Sequence, residues 1–352
     1  MRGLVILLLL CLPAATKAER ACPQPVWTQD LATGYGFRSF GEEWLGDVPH
    51  PQGWIESRGI IFLSPEFIAL YQVLPGDESP QLATRDADGK LGTLVLRIQI
   101  IAAADGSPVK LLRLTTSSGV NRPSSSKREP HIPFESVLPT HDGKFLVRTK
   151  GMLHLFSSDF KEIMSKALPR SGTDSHDYWD FSVSSDGDRI YAEHHENTGY
   201  SDKEPFKLTR YLMDADTLQV LRSWDYRERP WGPPWEPPYR ISGEGKHRRV
   251  VSAGDELLLN ISLSRGESLG PTALTKSLFL GEIYQHHADP FDFGRCDKPV
   301  RLTADDLRTK SEKCSIPITE KAGPCGSGFL FSASSAGDVA VIQGTELSLY
   351  RP

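Results

Sequence analysis

The sequence predicts an all-β chain, and three observations carry that prediction. Apolar residues alternate with polar ones at period two through most of the chain, in short runs bounded by Gly, Pro, Asp and Ser. No stretch beyond about ten residues sustains a helical period. A unit of paired strands joined by Asp-Gly-like turns returns several times, and such recurrence is the mark of a repeat architecture. Aromatic residues at 9% and charged residues at 24% supply ordinary material for a core.

The first element is an export signal. Met1 and Arg2 give a short positive start, Leu4 to Leu12 is an unbroken apolar run, and Ala14, Ala15, Thr16 and Ala18 follow Pro13. Cleavage is expected after Ala18, with a secreted or periplasmic destination. The run is far short of the roughly twenty residues that cross a bilayer, and later apolar stretches are interrupted, as Thr93 to Ala104 is by Arg97 and Gln99. No membrane span is therefore expected in the mature chain. The formal charge of −5 becomes about −7 once Arg2 and Lys17 are removed, which makes nucleic acid an unnatural partner.

The recurring unit is clearest in Phe181-Ser182-Val183-Ser184-Ser185-Asp186-Gly187-Asp188-Arg189-Ile190-Tyr191, followed by Leu208 to Met213, the turn Asp214-Ala215-Asp216-Thr217, and Leu218 to Leu221. Ser136 to Val147, with His141-Asp142-Gly143 at its turn, copies the first half, and Met152 to Phe156 begins the second. Val95 to Ala103 with Val109 to Leu114, and finally Phe329 to Ile342 with Leu347 to Tyr350, are further partial copies. Asp-Gly pairs supply the positive φ angles of tight hairpin turns, so each unit is expected to form a four-stranded antiparallel meander. Asp159 to Ala167 and Thr303 to Lys313 are the two short helical candidates, the former equally readable as a turn into a strand.

The Ser-x-Asp-Gly and Asp-x-Asp-Thr-Leu turns resemble those of bacterial YVTN-type and related WD40-like β-propellers. The resemblance holds at the level of the repeat and covers about half of the chain. It implies a single β-propeller and carries over no functional residue. At the usual 40 to 50 residues per blade the length gives about seven blades, with six as the alternative; a pair of β-sandwich domains is the competing fold. The expected organisation is a signal peptide over 1–18, an N-terminal strand or strap closing the ring over 19–58, and the propeller over 59–352.

Cys11 lies in the signal, which leaves Cys22, Cys296, Cys314 and Cys325. An even number in an exported chain points to disulfides. Of the three pairings, Cys296 with Cys314 and Cys22 with Cys325 is the preferred one, tying the N-terminal segment to the last repeat.

Two segments are candidates for function. Arg227 to Arg240 holds five prolines with Trp231, Trp235 and Tyr239. A stiff extended backbone carrying ring faces suits a peptide or sugar, although the same rings could lie over an adjacent blade and seal it. The second is a set of imidazoles and carboxylates, His286, His287 and Asp289 with His194 and His176, which are the ligand types of a divalent metal. Neighbouring residues in a strand face opposite ways, so at most one of His194 and His195, or of His286 and His287, would reach a common ion. No G-x-S-x-G, H-E-x-x-H or G-x-G-x-x-G pattern is present. The reading is a non-catalytic binding or scaffold propeller for a protein, peptide or glycan; the alternative is a metal-assisted hydrolase with His and Asp ligands at one mouth.

Overall fold

The computed structural model describes residues 20–37, 58–75, 94–116, 136–149, 152–168, 178–184, 187–196, 207–225, 239–243, 246–252, 254–275, 277–285, 298–322 and 329–352. These form antiparallel sheets almost exclusively. The first sheet contains β2 (Arg58–Ser64), β3 (Phe67–Pro75), β4 (Leu94–Ala102) and β5 (Pro108–Thr116). The second contains β6 (Ser136–Pro139), β7 (Phe145–Thr149), β8 (Met152–Phe156) and β9 (Glu162–Ala167). The third contains β10 (Tyr178–Val183), β11 (Arg189–Glu196), β12 (Lys207–Asp214) and β13 (Val220–Asp225). The fourth has three described strands, β14 (Tyr239–Ser242), β15 (His247–Ser252) and β16 (Leu257–Ser262). The fifth contains β17 (Glu267–Leu274), β18 (Leu278–Gln285), β19 (Lys298–Asp306) and β20 (Ser311–Pro317). The sixth combines β21 (Phe329–Ala333), β22 (Val339–Gln343) and β23 (Glu346–Tyr350) with β1 (Trp27–Asp30), whose Trp27 lies opposite Leu349.

Five of the six junctions between neighbouring sheets are apolar among the described residues. Leu96, Ile98 and Ile100 of the first pack on Val137, Phe145 and Val147 of the second, and Leu146, Leu153 and Leu155 of the second pack on Ile190, Ala192 and Met213 of the third. Val250 and Leu259 of the fourth meet Phe279 and Ile283 of the fifth. Leu280 and Leu302 of the fifth meet Val339 and Val341 of the sixth, and Ala340 and Ile342 of the sixth return to Ile68 and Leu70 of the first. The ring closes. The chain is a six-bladed β-propeller.

Six blades form among the described residues, where the chain length suggests about seven. Both helical candidates belong to sheets. Asp159 and Phe160 make the turn into β9, and Thr303 to Lys313 covers the end of β19, a turn and the start of β20. One short helix, α1 (Leu31–Tyr35), follows β1, with the Asp30 carboxylate accepting from the Ala32 N–H and Gly36 ending it at φ 60°. No described helix is long and apolar enough to cross a membrane.

The disulfide departs from the preferred pairing, for Cys22 is bonded to Cys314, with the Cα atoms 4.6 Å apart. The physical reason lies in the approach to β1. Residues 20–22 run beside β20 of the fifth sheet, where Ser315 N–H donates to the Arg20 carbonyl and Cys22 N–H to the Ser315 carbonyl. Cys22 is thereby set against β20 before the chain crosses to the sixth sheet. Cys296 and Cys325 lie outside the described residues, as do residues 1–19.

Candidate binding site

The third and fourth sheets differ from the rest. Five apolar clusters account for five of the six junctions in the ring, and among the described residues none joins the third sheet to the fourth. The two faces of the third sheet are accordingly unlike. Toward the second sheet, Trp179 stacks on His194 with ring centres 4.2 Å apart and planes 6° from parallel, and Phe181 and Tyr211 complete the group. Arg148 of β7 donates to the Trp179 carbonyl, and its guanidinium lies 5.6 Å from the Phe181 ring centre.

The opposite face carries polar chemistry. Glu193 accepts from Arg210 Nε at 2.7 Å and from the Tyr191 hydroxyl at 2.5 Å. Burial, then the adjacent Glu193 carboxylate, pushes the Tyr191 hydroxyl well above the ordinary phenol range. Trp224 lies opposite Arg210 in register and 6.4 Å from the Tyr191 ring, with Arg222 over its own ring at 5.3 Å. Trp224 is buried, and its Nε1 has no hydrogen-bond partner among the described residues.

The fourth sheet has three described strands. The turn between β15 and β16 holds Asp255 at φ 65°, with Ser252 Oγ accepting from Glu256 N–H, an arrangement shared with the turns before β9, β11 and β22, where Ser157, Ser184 and Ser334 accept in the same way. The start of β16 touches the turn between β19 and β20, where Lys310 Nζ donates to the Leu257 carbonyl at 2.9 Å.

Tyr239 fixes the direction. Its hydroxyl is 2.7 Å from Thr272 Oγ1, late in β17, and its ring stands edge-on to Phe279, at the start of β18, with centres 5.8 Å apart. The start of β14 therefore lies at the start of β18, the second strand of the fifth sheet. Of the three rings singled out in the sequence, Tyr239 thus lies across the adjacent blade. Trp231 and Trp235 are outside the described residues.

The imidazole–carboxylate set is only partly placed. His194 is 1% exposed beneath Trp179, a packing position on the side toward the second sheet. His195 is opposite Tyr178 and Leu208 in the backbone register. His176, His286, His287 and Asp289 lie outside the described residues. Among the described residues no three His, Cys, Asp or Glu side chains converge in a metal-holding geometry.

Sequence reasoning missed Tyr191, Glu193, Arg210 and Trp224. The available signal was alternation, because Tyr191 and Glu193 share a face at i and i+2, where an apolar pair is the rule in this fold.

No protein-family model matches the sequence, and no curated protein matches it. Solved structures do. The chain is similar to the Neurospora crassa Pan2 WD40 domain at 7% identity, over 87% of this chain and 92% of that one, with a TM-score of 0.38. It is similar to the Dos1 propeller at 11% identity, over 85% and 93%, with a TM-score of 0.32. A Pyrococcus horikoshii acylaminoacyl peptidase matches at 10% identity over 84% of this chain and 52% of that one, with a TM-score of 0.43.

Proposed function

We propose that the protein is an exported, non-catalytic propeller that binds a protein, peptide or glycan partner at the junction of its third and fourth sheets. The observation that carries the reading is the character of that junction, where Arg210, Arg222, Tyr191 and Trp224 stand on the third sheet and no apolar cluster joins it to the fourth among the described residues. Amphipathic rings and guanidinium groups are the side chains enriched where proteins meet partners, because they combine a large apolar area with fixed donors. The buried Trp224 indole N–H, without an acceptor among the described residues, favours a ligand that brings one.

Export is supported by the composition of residues 1–18 and by the Cys22–Cys314 bond, since such bonds persist in oxidising compartments. The test has two arms. Mass spectrometry of protein recovered from outside the cytoplasm is expected to show a chain beginning at Glu19. Selection from random peptide display and a glycan array, with the intact protein immobilised, is expected to return ligands that lose affinity at least tenfold in Trp224→Ala. Absence of any saturable ligand in both formats, or retention of full affinity by the variant, contradicts the reading.

A further inference from the structure

We propose that the junction of the third and fourth sheets takes an acidic glycan, a chain of uronate-type sugars whose carboxylates are held by His247 and Arg249 on the fourth sheet and by Arg222 on the third. This rests on the binding reading above and names its ligand class.

The two faces of the fourth sheet are unlike. The register sets Ile241, Val250 and Leu259 in one row across β14, β15 and β16. Val250 and Leu259, at 0% and 1% exposure, pack on Phe279 and Ile283 of the fifth sheet. Successive residues of a strand point to opposite faces, so the adjoining rows turn away from the fifth sheet and toward the third. Those rows hold Ser242, Arg249 and Asn260 on one side and Arg240 and Val251 on the other, with His247 and Ser262 beyond. Arg240, Ser242, His247, Arg249, Asn260 and Ser262 are all exposed.

This face is cationic in a chain whose formal charge is −5. No carboxylate stands at these positions, and the Asp255 that pairs with Arg240 sits in the turn after β15, both partners being mostly exposed. A surface pair of that kind contributes little and is readily exchanged for a second acceptor. Strand geometry places His247 and Arg249 about 7 Å apart along β15 on the same side. Arg249 lies between Ser242 and Asn260 in the register, and His247 lies opposite Ser262, so each cation has a hydroxyl or an amide beside it. On the third sheet, Arg222 is exposed over the Trp224 ring.

That composition selects a sugar over a peptide. Peptide and protein partners are held chiefly by apolar and aromatic anchors in desolvated pockets. On this face of the fourth sheet the apolar positions are Val251 and its partner Leu257, both half-buried. A uronate chain presents a carboxylate on each ring, which suits the paired donors of a guanidinium. The hydroxyls between its carboxylates exchange hydrogen bonds with Ser242, Asn260 and Ser262, and a sugar oxygen supplies the acceptor that the Trp224 N–H lacks among the described residues.

The probe is a fluorescein-labelled oligogalacturonate, with its methyl ester and an oligoglutamate of equal length as controls, added to the full-length, disulfide-intact protein. Anisotropy is expected to show saturable binding of the oligogalacturonate that weakens as salt rises. Affinity is expected to fall at least tenfold in Arg249→Glu and in Arg222→Glu, with near-ultraviolet circular dichroism unchanged. Lys321→Glu, the same charge reversal at an exposed position beside the sixth sheet, is expected to bind as wild type. Equal binding of the methyl ester overturns the proposal, and equal binding of oligoglutamate overturns the glycan assignment in favour of an acidic peptide. Wild-type affinity in both arginine variants, or an equal loss in Lys321→Glu, overturns the placement of the site. Absence of oligogalacturonate binding overturns the ligand class and leaves the broader binding reading standing, which falls only if display and glycan selections also return nothing.

Discussion

Removing the Cys22–Cys314 bond is the perturbation whose size can be worked most fully. The two cysteines are 292 residues apart, so the bond closes nearly the whole chain into one loop in the unfolded state. The chain-entropy relation gives about 5.7 kcal/mol for a loop of that length at 25 °C, and native disulfides in practice contribute about 2 to 5 kcal/mol. Residues 20–22 would keep their two backbone hydrogen bonds to β20, and β1 its place in the sixth sheet, so the native ring is expected to persist with a lower stability. With an unfolding entropy of roughly 2.1 cal/mol/K per residue, a loss of about 4 kcal/mol lowers Tm by about 6 °C. The assay is thermal unfolding followed by near-ultraviolet circular dichroism, comparing wild type with the double variant Cys22→Ser, Cys314→Ser. Peptide mapping under non-reducing conditions establishes the bond in the wild type. A Tm change below about 1 °C, or a map linking Cys22 to Cys325 or Cys296, refutes the reasoning.

Three other outcomes follow from the described geometry. Burial pushes the Glu282 carboxyl above the ordinary range, and its bond with Tyr284 offsets only part of this. The folded state therefore binds that proton more tightly than the unfolded state, and stability falls as pH rises through the raised value. Glu282→Gln is expected to flatten that dependence and to raise Tm at pH 8, read by a pH series of melts; a lower Tm at pH 8 contradicts it. Glu267 behaves oppositely: burial works against it, but the paired Arg301 guanidinium and the Ser264 N–H hold its carboxyl below the usual range. Its contribution is present above the unfolded carboxylate value and is lost as pH falls through the depressed one, so Glu267→Gln should destabilise at pH 7 and converge on wild type near pH 3 in urea titrations. Trp179→Ala removes the ring that covers His194 and is expected to cost about 3 kcal/mol, measured by the same titrations; a loss under 1 kcal/mol would show the stack to be incidental.

The sequence made the sheets legible where turn chemistry is local. The Ser136 to Val147 and Phe181 to Tyr191 copies became β6–β7 and β10–β11, and Phe329 to Ile342 became β21–β22. Hidden from it was what depends on neighbours across the ring. Cys22 finds Cys314 because the segment before β1 passes the fifth sheet, a fact of the closed ring and not of loop length. His194 reads as a ligand type in the chain and as a packed ring in the fold, because its strand partner opposite is Trp179. The contacts of the fourth sheet were invisible for a similar reason, since β14 to β16 alternate like any other strands and nothing in that pattern shows that they meet Thr272 and Lys310 of the fifth sheet.

The central claim is that the face of the third sheet carrying Tyr191, Arg210 and Trp224 binds a partner. Titration of the intact protein with ligands selected from peptide display or a glycan array tests this directly. The account predicts saturable binding that falls at least tenfold in Trp224→Ala. Full affinity in the variant, or no saturable ligand at all, would contradict it.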